Sequence, residues 1–129
     1  MATTLLEAHD ELYAAINRML HGDAGPLCAL VSDAPDAMFA GPFGGIDAGA
    51  ESVRANYEAQ AARKLGGEVN VCDLHVIDGT DMGVTVCVEY GTGLVIDGKP
   101  GSLRHRATNI FRREADGWKL VHHDTDLAS

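Results

Sequence analysis

The sequence predicts an α+β domain in which helices come first and an antiparallel sheet follows. Asp-Gly occurs three times in the second half, at 78–79, 97–98 and 116–117, each 19 residues from the next. This dipeptide favours the type I′ turn of two-residue β-hairpins, because both residues tolerate a positive φ. Three evenly spaced hairpins would connect four strands. The segments between them are rich in Val, Ile, Thr and Tyr, whereas the first 65 residues show helical periodicity.

Three helices are predicted before the sheet. Thr4-Leu5-Leu6-Glu7 has the capping-box spacing, and the apolar residues that follow recur every three or four positions to about His21. Pro26, which suits a first helical position, predicts a short second helix. The third helix is expected over 50–64, before the helix-ending pair Gly66-Gly67.

One short strand is expected over 37–40, and the four hairpin strands near 68–77, 82–95, 102–114 and 117–126. The predicted order is therefore ααβαββββ. A flat strand over 82–95 would be about 45 Å long at about 3.3 Å per residue, so we expect it to bend at Gly91 and Gly93. A bent antiparallel sheet packed on three helices forms a cone with an internal pocket.

Length and charge limit the function. The 129 residues suit one domain over 1–129, and 46% apolar content with only 5% aromatic residues leaves room for a ligand in the core. The formal charge of −9 opposes nucleic acid and anionic membranes as partners. No signal peptide or apolar run of about 18 residues is evident.

The cysteines indicate the compartment. Cys28, Cys72 and Cys87 are odd in number, lie in apolar stretches and have no C-x-x-C spacing. We therefore expect three buried thiols and a cytoplasmic location.

The last hairpin carries a resemblance to a known family. The ααβαββββ order, the strand Arg106-Ala107-Thr108-Asn109-Ile110-Phe111-Arg112-Arg113, the turn Asp116-Gly117-Trp118 and the strand end Val121-His122-His123 resemble the nuclear transport factor 2-like superfamily, in its SnoaL-like and ketosteroid-isomerase-like branch. The resemblance implies a cone-shaped domain, usually dimeric through its sheet, with a pocket between sheet and helices. It does not choose an activity, because the superfamily includes isomerases, cyclases, dehydratases, epoxide hydrolases and members that only bind or assemble.

Position by position, the resemblance removes one mechanism. The catalytic aspartate of ketosteroid isomerases corresponds to Gly41, and their pocket acid corresponds to Asn109, which does not titrate. Tyr57 matches the helix-borne tyrosine of their hydrogen-bond network. The main tyrosine of their first helix falls at Ala15, and Tyr13 lies about half a turn away. Ketosteroid isomerase chemistry, which is a standard example of a carboxylic acid kept neutral in an apolar site, therefore lacks its acid and base here.

Strand alternation predicts which side chains face the pocket. On the third hairpin strand these are His105, Ala107, Asn109 and Phe111, and on the last strand Val121, His123 and Thr125. The outer face would carry Arg104, Arg106, Thr108, Ile110 and Arg112 from the third hairpin strand, with Trp118, Leu120 and His122 from the last. There Ile110, Trp118, Leu120 and His122 would form an apolar strip suited to a homodimer contact through the outer face of the sheet. The outward arginines are expected to pair with Glu89, Asp73 or a neighbouring subunit.

The predicted site combines polar groups with an apolar wall. His123 and His105 are the candidate catalytic residues, since histidine exchanges protons near neutral pH. The substrate-binding candidates are Tyr57, Asn109, Phe39, Phe43, Phe111 and Thr125. The alternative is that these histidines are structural or lie at the pocket rim.

No metal or organic cofactor is expected. His122, His123, Asp124 and Asp126 are of metal-binding types, but neighbouring strand residues point to opposite faces. The loop Gly41-Pro42-Phe43-Gly44-Gly45 lacks the Lys-Ser or Lys-Thr of a phosphate loop and is expected to shape the pocket mouth.

Taken together, these patterns predict a dimeric protein that binds a small, mostly apolar molecule with a carbonyl or hydroxyl group. An enzyme of this kind would be an isomerase, cyclase or dehydratase that moves a proton through His123 or His105, with Tyr57 and Asn109 as orienting donors. The alternative is a non-catalytic ligand-binding or oligomerisation module.

Overall fold

The computed structural model describes residues 2–128 and confirms the α+β fold. Its elements are α1 (Leu5–Leu20), α2 (Gly25–Leu30), β1 (Met38–Ala40), β2 (Asp47–Ala48), α3 (Ala50–Ala62), β3 (Glu68–Ile77), β4 (Met82–Ile96), β5 (Lys99–Glu114) and β6 (Gly117–Leu127). The order is ααββαββββ, because the two-residue strand β2 is too short to leave a sequence pattern.

The six strands form one sheet in the order β2-β1-β6-β5-β4-β3. The four hairpin strands pair as an antiparallel meander, as predicted, but β1 joins β6 in parallel, so the sheet is mixed. This pairing sets Phe39 directly beside His123. The short strand thus delivers an aromatic side chain to the last strand.

The bends of the sheet occur at three irregularities in strand pairing. The irregularity between Gly91 and Leu94 confirms the predicted bend in β4. A second lies between Cys72 and His75 of β3. At the third, Ile110 pairs with His122 but Phe111 pairs with Leu120, so that Val121 is an extra residue in β6.

Side chains alternate between the two faces of a sheet with period two. The extra residue Val121 therefore reverses the face to which the preceding residues of β6 point. Trp118 and Leu120 are only 6% and 2% exposed and belong to the core. The prediction that they form an outer apolar strip is therefore wrong. The outer face keeps Ile110 and His122.

Only one of the three Asp-Gly turns has the predicted conformation. Asp97 and Gly98 have φ values of 52° and 78°, as a type I′ turn requires, and join the paired residues Ile96 and Lys99. The connection from β3 to β4 is longer, and the third hairpin turns through Ala115 and Asp116.

The helices cover the inner face of the sheet. Thr4 caps α1, accepting a hydrogen bond from the backbone N–H of Glu7 at 3.1 Å. Helix α1 lies close to the sheet at Gly83, where an added Cβ would stand 2.6 Å from Leu5 Cδ2. On the outer face Cys72 is exposed, contrary to the expectation of three buried thiols. Within residues 2–128, no helix is long and apolar enough to cross a membrane.

Candidate functional site

A cavity of about 330 Å³ lies between the inner face of the sheet and helices α1 and α3. Its volume is at the lower end of the range of small-molecule sites, about 300–1,000 Å³. Its apolar wall consists of Ile16, Met19, Leu20, Phe39, Leu65, Val69 and Leu103. Its mouth is bordered by the loop 41–45 and by Asp47, Asn56, Gln60 and Arg63.

Glu89 places a buried carboxylate in the wall of this cavity. It points inward from β4 and is 5% exposed. Tyr13 donates its hydroxyl hydrogen to Glu89 Oε2 at 2.7 Å. His105 Nδ1 lies 3.6 Å from Oε1, and His123 Nε2 lies 3.6 Å from Oε2. Both distances exceed a direct hydrogen bond, so the carboxylate has unused acceptor capacity.

Glu89 is ionised at neutral pH. Burial acts to raise the pKa of this carboxyl, but the adjacent His105 and Tyr13 side chains, together with the charge that His123 carries when protonated, outweigh burial and lower the pKa below the usual value. Tyr13 shows the opposite effect: burial and the adjacent Glu89 charge raise the pKa of its phenol. Tyr13 therefore remains a donor.

Asn109 connects Tyr13 to His123. Its Nδ2 donates to Tyr13 Oη at 3.0 Å and to Thr85 Oγ1 at 3.2 Å, and its Oδ1 lies 2.5 Å from His123 Nδ1. The network ends at His9, whose Nδ1 lies 2.9 Å from Thr85 Oγ1. Burial lowers the pKa of both His9 and His123, so both are neutral near pH 7.

Two aromatic rings stand beside His123. Phe39 stacks on the His123 ring with a centroid distance of 5.8 Å, and meets Tyr57 edge-on at 5.3 Å. Tyr57 lines the cavity, and its buried hydroxyl has no hydrogen-bond partner among residues 2–128. Burial raises the pKa of this phenol. The Tyr57 hydroxyl is therefore an unused hydrogen-bond donor buried within the wall of the cavity.

The comparisons with known proteins agree with this architecture. The family model for the SnoaL-like domain matches residues 5–125. The chain belongs to the SnoaL-like domain family. No curated protein matches the chain.

Solved structures share the fold of this SnoaL-like domain at low identity. A candidate calcium/calmodulin-dependent protein kinase type II association domain from Thiobacillus denitrificans is 23% identical, with a TM-score of 0.84 and coverage of 100% of this chain and 98% of that one. A candidate dehydratase from Streptomyces avermitilis is 25% identical, with a TM-score of 0.80 and coverage of 95% and 92%. The S. rosetta CaMKII hub is 23% identical, with a TM-score of 0.73 and coverage of 96% and 94%. The nuclear transport factor 2-like fold is thereby confirmed.

The cavity of the SnoaL-like domain brings together most of the predicted site residues. Those that line it are His105, His123, Tyr57, Phe39, Phe43 and Thr125. Phe43 is 89% exposed and lies at the mouth. Asn109 is fully buried behind His123 and does not line the cavity, although it bonds to the histidine that does.

Phe111 is not a cavity residue, because it is fully buried in the core. Val121, the extra residue of the β6 irregularity, does not line the cavity either. The inner face of the sheet is thus divided along its length: one part lines the cavity and the other packs under the helices.

The sequence prediction missed Glu89, the central residue of the site. It was expected to pair with outward arginines, but β4 directs Thr85, Cys87 and Glu89 inward and its valines outward. Arg106 pairs instead with Asp126, and Arg112 with Asp36 and Glu114. The strand register could have identified the carboxylate, because Glu89 lies opposite His105 across the β4 and β5 hairpin.

The sequence prediction also left Tyr13 out of the site. The family comparison placed the first-helix tyrosine at Ala15, yet Tyr13 Oη contacts both Glu89 and Asn109. Across residues 2–128, no group of three or more His, Cys, Asp or Glu side chains is arranged to hold a metal ion.

Proposed function

We propose that this SnoaL-like domain binds a small, mostly apolar molecule bearing a carbonyl or hydroxyl group and moves a proton on it. The observation that carries the proposal is Glu89, an ionised carboxylate in an apolar cavity with a histidine nitrogen 3.6 Å from each oxygen. Buried groups with altered pKa values in a cleft are typical of acid–base sites. The aspartate of ketosteroid isomerases has no counterpart at Gly41, and here the carboxylate comes from β4 instead.

The proposed reaction is an isomerisation, cyclisation or dehydration. A proton leaves a carbon next to the substrate carbonyl for Glu89 or His123, and the electron pair moves to the carbonyl oxygen, which Tyr57 stabilises as a donor. In an isomerisation the proton returns to another carbon; in a dehydration it leaves with a hydroxide as water. His105, whose side chain is 13% exposed and whose Nδ1 lies 3.6 Å from Glu89 Oε1, is the second histidine beside the carboxylate. The steps use neither a metal nor an organic cofactor.

The fold comparison supports the proposal only in part. The similar Streptomyces avermitilis protein is described as a candidate dehydratase, but fold alone does not transfer an activity. The support that is specific to this chain is the set of side chains around Glu89.

The test has a binding arm and a chemical arm. Thermal denaturation is measured against a panel of cyclic ketones and alcohols, since a ligand at 100 times its Kd stabilises by about 2.7 kcal/mol. Ligands from this panel that carry a carbonyl are then incubated with the protein in D₂O, and the exchange of hydrogen for deuterium beside the carbonyl is followed by NMR.

The variants for this test are Glu89→Gln, which removes the base, and Glu68→Gln as a matched control on the exposed start of β3. We expect the first to slow exchange at least about 100-fold, within the usual contribution of acid–base catalysis, and the second to leave it unchanged. Binding without exchange would contradict the enzyme and leave a ligand-binding module.

A second candidate function is assembly, and the outer face of the sheet favours it. Val84, Val86, Val88 and Ile110 are only half-buried there, and Tyr90 is 36% exposed. Nearby, His122 Nδ1 is buried without a hydrogen-bond partner among the described residues. One similar structure is a CaMKII hub, and another is a candidate association domain. We propose that this face forms a homodimer.

The assembly is tested by sedimentation equilibrium of the wild type and Val86→Arg. Stable interfaces bury about 1,200–2,000 Å² in total, and a buried unpaired charge at their centre is strongly unfavourable. We expect a wild-type dimer and a monomeric variant, with Val95→Arg on the exposed β4 and β5 hairpin as a control that remains dimeric. A monomeric wild type would contradict the proposal.

Location and partners follow from composition. The three cysteines are free, which fits a reducing compartment, and we infer a cytoplasmic location. The formal charge of −9 argues against nucleic acid and anionic membranes. Fractionation of the native cells and binding to anionic vesicles or heparin test these inferences: recovery outside the cytoplasm, or retention at physiological salt, would contradict them.

A further inference from the structure

The hydrogen atoms around Tyr13 can be counted. A phenol has one hydrogen to donate and lone pairs with which to accept. Tyr13 Oη lies 2.7 Å from Glu89 Oε2, 3.0 Å from the side-chain amide of Asn109 and 3.3 Å from Cys87 Sγ, a weak hydrogen-bonding group that either donates or accepts. Because the ionised carboxylate only accepts, Tyr13 gives its single hydrogen to Glu89 and must accept from Asn109.

This count fixes the orientation of the Asn109 amide. The atom that faces Tyr13 is the donor Nδ2, whose two hydrogens reach Tyr13 Oη and Thr85 Oγ1 at 3.0 and 3.2 Å. The carbonyl Oδ1 therefore faces His123 Nδ1, at 2.5 Å. Two acceptors do not approach to this distance, so His123 Nδ1 carries a hydrogen.

We infer that His123 is held as the neutral Nδ1–H tautomer, so that its Nε2 and Glu89 Oε2 form a pair of acceptors in the cavity wall that takes a donor from the ligand. The two atoms are 3.6 Å apart. A ligand hydroxyl placed between them donates its single hydrogen to one of the two atoms, or shares it between both in a three-centre hydrogen bond. Neither atom has a proton to offer the other while Glu89 is ionised and His123 neutral.

The ligand class follows from this pair together with Tyr57. A hydroxyl, or an acidic C–H, donates to the acceptor pair, and a carbonyl oxygen accepts from the Tyr57 hydroxyl, which has no partner among residues 2–128. A hydroxyketone or the enol of a diketone supplies both groups. This ligand class rests on the proposed function, whereas the tautomer does not.

A network of reversed polarity is the competing arrangement. In it Glu89 is protonated and donates to Tyr13, Tyr13 donates to Asn109 Oδ1, and Nδ2 donates to an unprotonated His123 Nδ1. His123 would then carry its hydrogen on Nε2, and the cavity would offer a donor there. The two networks differ in an observable property, the tautomer of a single ring.

The tautomer is read from the ¹⁵N chemical shifts of the wild-type protein labelled at histidine. His123 signals are identified among the six histidines by their loss in His123→Gln. We expect a pyrrole-type shift for Nδ1 and a pyridine-type shift for Nε2 at pH 7.5. The reverse assignment, or pyrrole-type shifts at both nitrogens, would overturn the inference.

Asn109 acts on His123 as a positioning residue, and a variant tests this. In Asn109→Leu the acceptor for Nδ1–H is lost, so we expect His123 to change to the Nε2–H tautomer. Thr125→Val, which alters the cavity wall without touching this network, should leave the Nδ1–H tautomer in place. Since Asn109→Leu disturbs a fully buried network, the wild-type spectrum remains decisive if that variant does not fold.

The donor preference is tested with cyclohexanol and cyclohexanone, which share one skeleton. Entry into the cavity is monitored by the methyl signals of Leu103 and Val69, which line it. We expect cyclohexanol to shift the Nε2 signal of His123 and cyclohexanone to shift it much less. Equal shifts, no shift from cyclohexanol, or failure of both to enter would refute the ligand class.

These outcomes separate the inference from the proposed function. An Nδ1–H tautomer in a protein that catalyses no exchange would keep the inference and remove the enzyme. An Nε2–H tautomer in a protein that catalyses the exchange would overturn the inference and leave the proposed enzyme in place.

Discussion

Removing the hydroxyl of Tyr57 should stabilise the protein, whereas the same change at Tyr13 should destabilise it. Both phenols are buried on the helical side of the cavity. The Tyr57 hydroxyl lacks a partner in the described chain, but the Tyr13 hydroxyl donates to Glu89 and accepts from Asn109. At Tyr57 the change to Phe therefore removes an unpaired buried hydroxyl, which destabilises the fold. At Tyr13 it removes hydrogen bonds that stabilise the fold.

The magnitudes come from these partners. A buried polar group without a hydrogen bond costs about 1–3 kcal/mol, so Tyr57→Phe should raise the free energy of unfolding by about that amount. The ring and its edge-on contact with Phe39 at 5.3 Å remain. A hydrogen bond to a charged group contributes about 1.5–3 kcal/mol, and the bond that Tyr13 accepts from Asn109 is lost as well, so Tyr13→Phe should lower the free energy of unfolding by about 2–3 kcal/mol. The two variants should thus differ by at least about 3 kcal/mol.

Urea denaturation monitored by circular dichroism measures the difference. With a slope of about 1–3 kcal/mol per molar urea, the midpoints of the two variants should lie at least about 1 M apart, with the wild type between them. Tyr57→Phe should also weaken any ligand found in the panel. A loss of stability in Tyr57→Phe similar to that in Tyr13→Phe would refute the assignment of Tyr57 as an unused donor.

Three further predictions concern stability. His9 and His123 have lowered pKa values in the folded state, so the unfolded chain binds more protons below about pH 6.5. The free energy of unfolding should therefore fall as the pH drops from 8 to 5.5. Urea midpoints measured across this range test the prediction, and midpoints that do not change with pH would contradict it. Gly67→Ala should lower the free energy of unfolding by at least about 3 kcal/mol, because φ is +69° and the new Cβ would stand 2.4 Å from a backbone oxygen. Gly66→Ala, with φ +70° and open space around the new Cβ, should lower it by about 1–2 kcal/mol. Equal losses in thermal denaturation would argue against the contact at Gly67. Thr4→Ala should lower the free energy of unfolding by about 1 kcal/mol, because the helix cap is lost. Thr3→Ala, which keeps the cap, is the control, and equal urea midpoints for the two variants would count against this prediction.

The sequence predicted the fold well where local chemistry decides the structure. Capping, helical periodicity and the positions of the hairpins follow from neighbouring residues, and α1 begins one residue after the predicted cap at Thr4. The type of turn was less predictable: Asp-Gly permits a type I′ turn, but the strand register decides which residues occupy its two central positions, and in the third hairpin these are Ala115 and Asp116. Only Asp97-Gly98 joins directly paired residues.

The site was harder to predict because it depends on which face of each strand is covered. Alternation correctly separated His123 from His122, but it could not reveal the extra residue Val121, which turned Trp118 inward. In β4 the usual preference is reversed, since valines face outward and a glutamate faces the cavity. A buried Glu89 becomes reasonable only once the hydroxyl of Tyr13, from a distant helix, is known to reach it.

The alternation in β4 also limits how such a chain can change during evolution. Successive residues serve opposite faces: Thr85, Cys87 and the cavity-lining Glu89 point inward, and they alternate with the half-buried valines at 84, 86 and 88 on the outer face. Substitutions alter either face independently, but a one-residue insertion or deletion in this stretch would exchange the two faces at once. We therefore expect related chains to differ in length within the loop 41–46 and hardly at all between residues 83 and 90. Selection would then preserve the number of residues in this part of β4 more strictly than the identity of any single side chain in it.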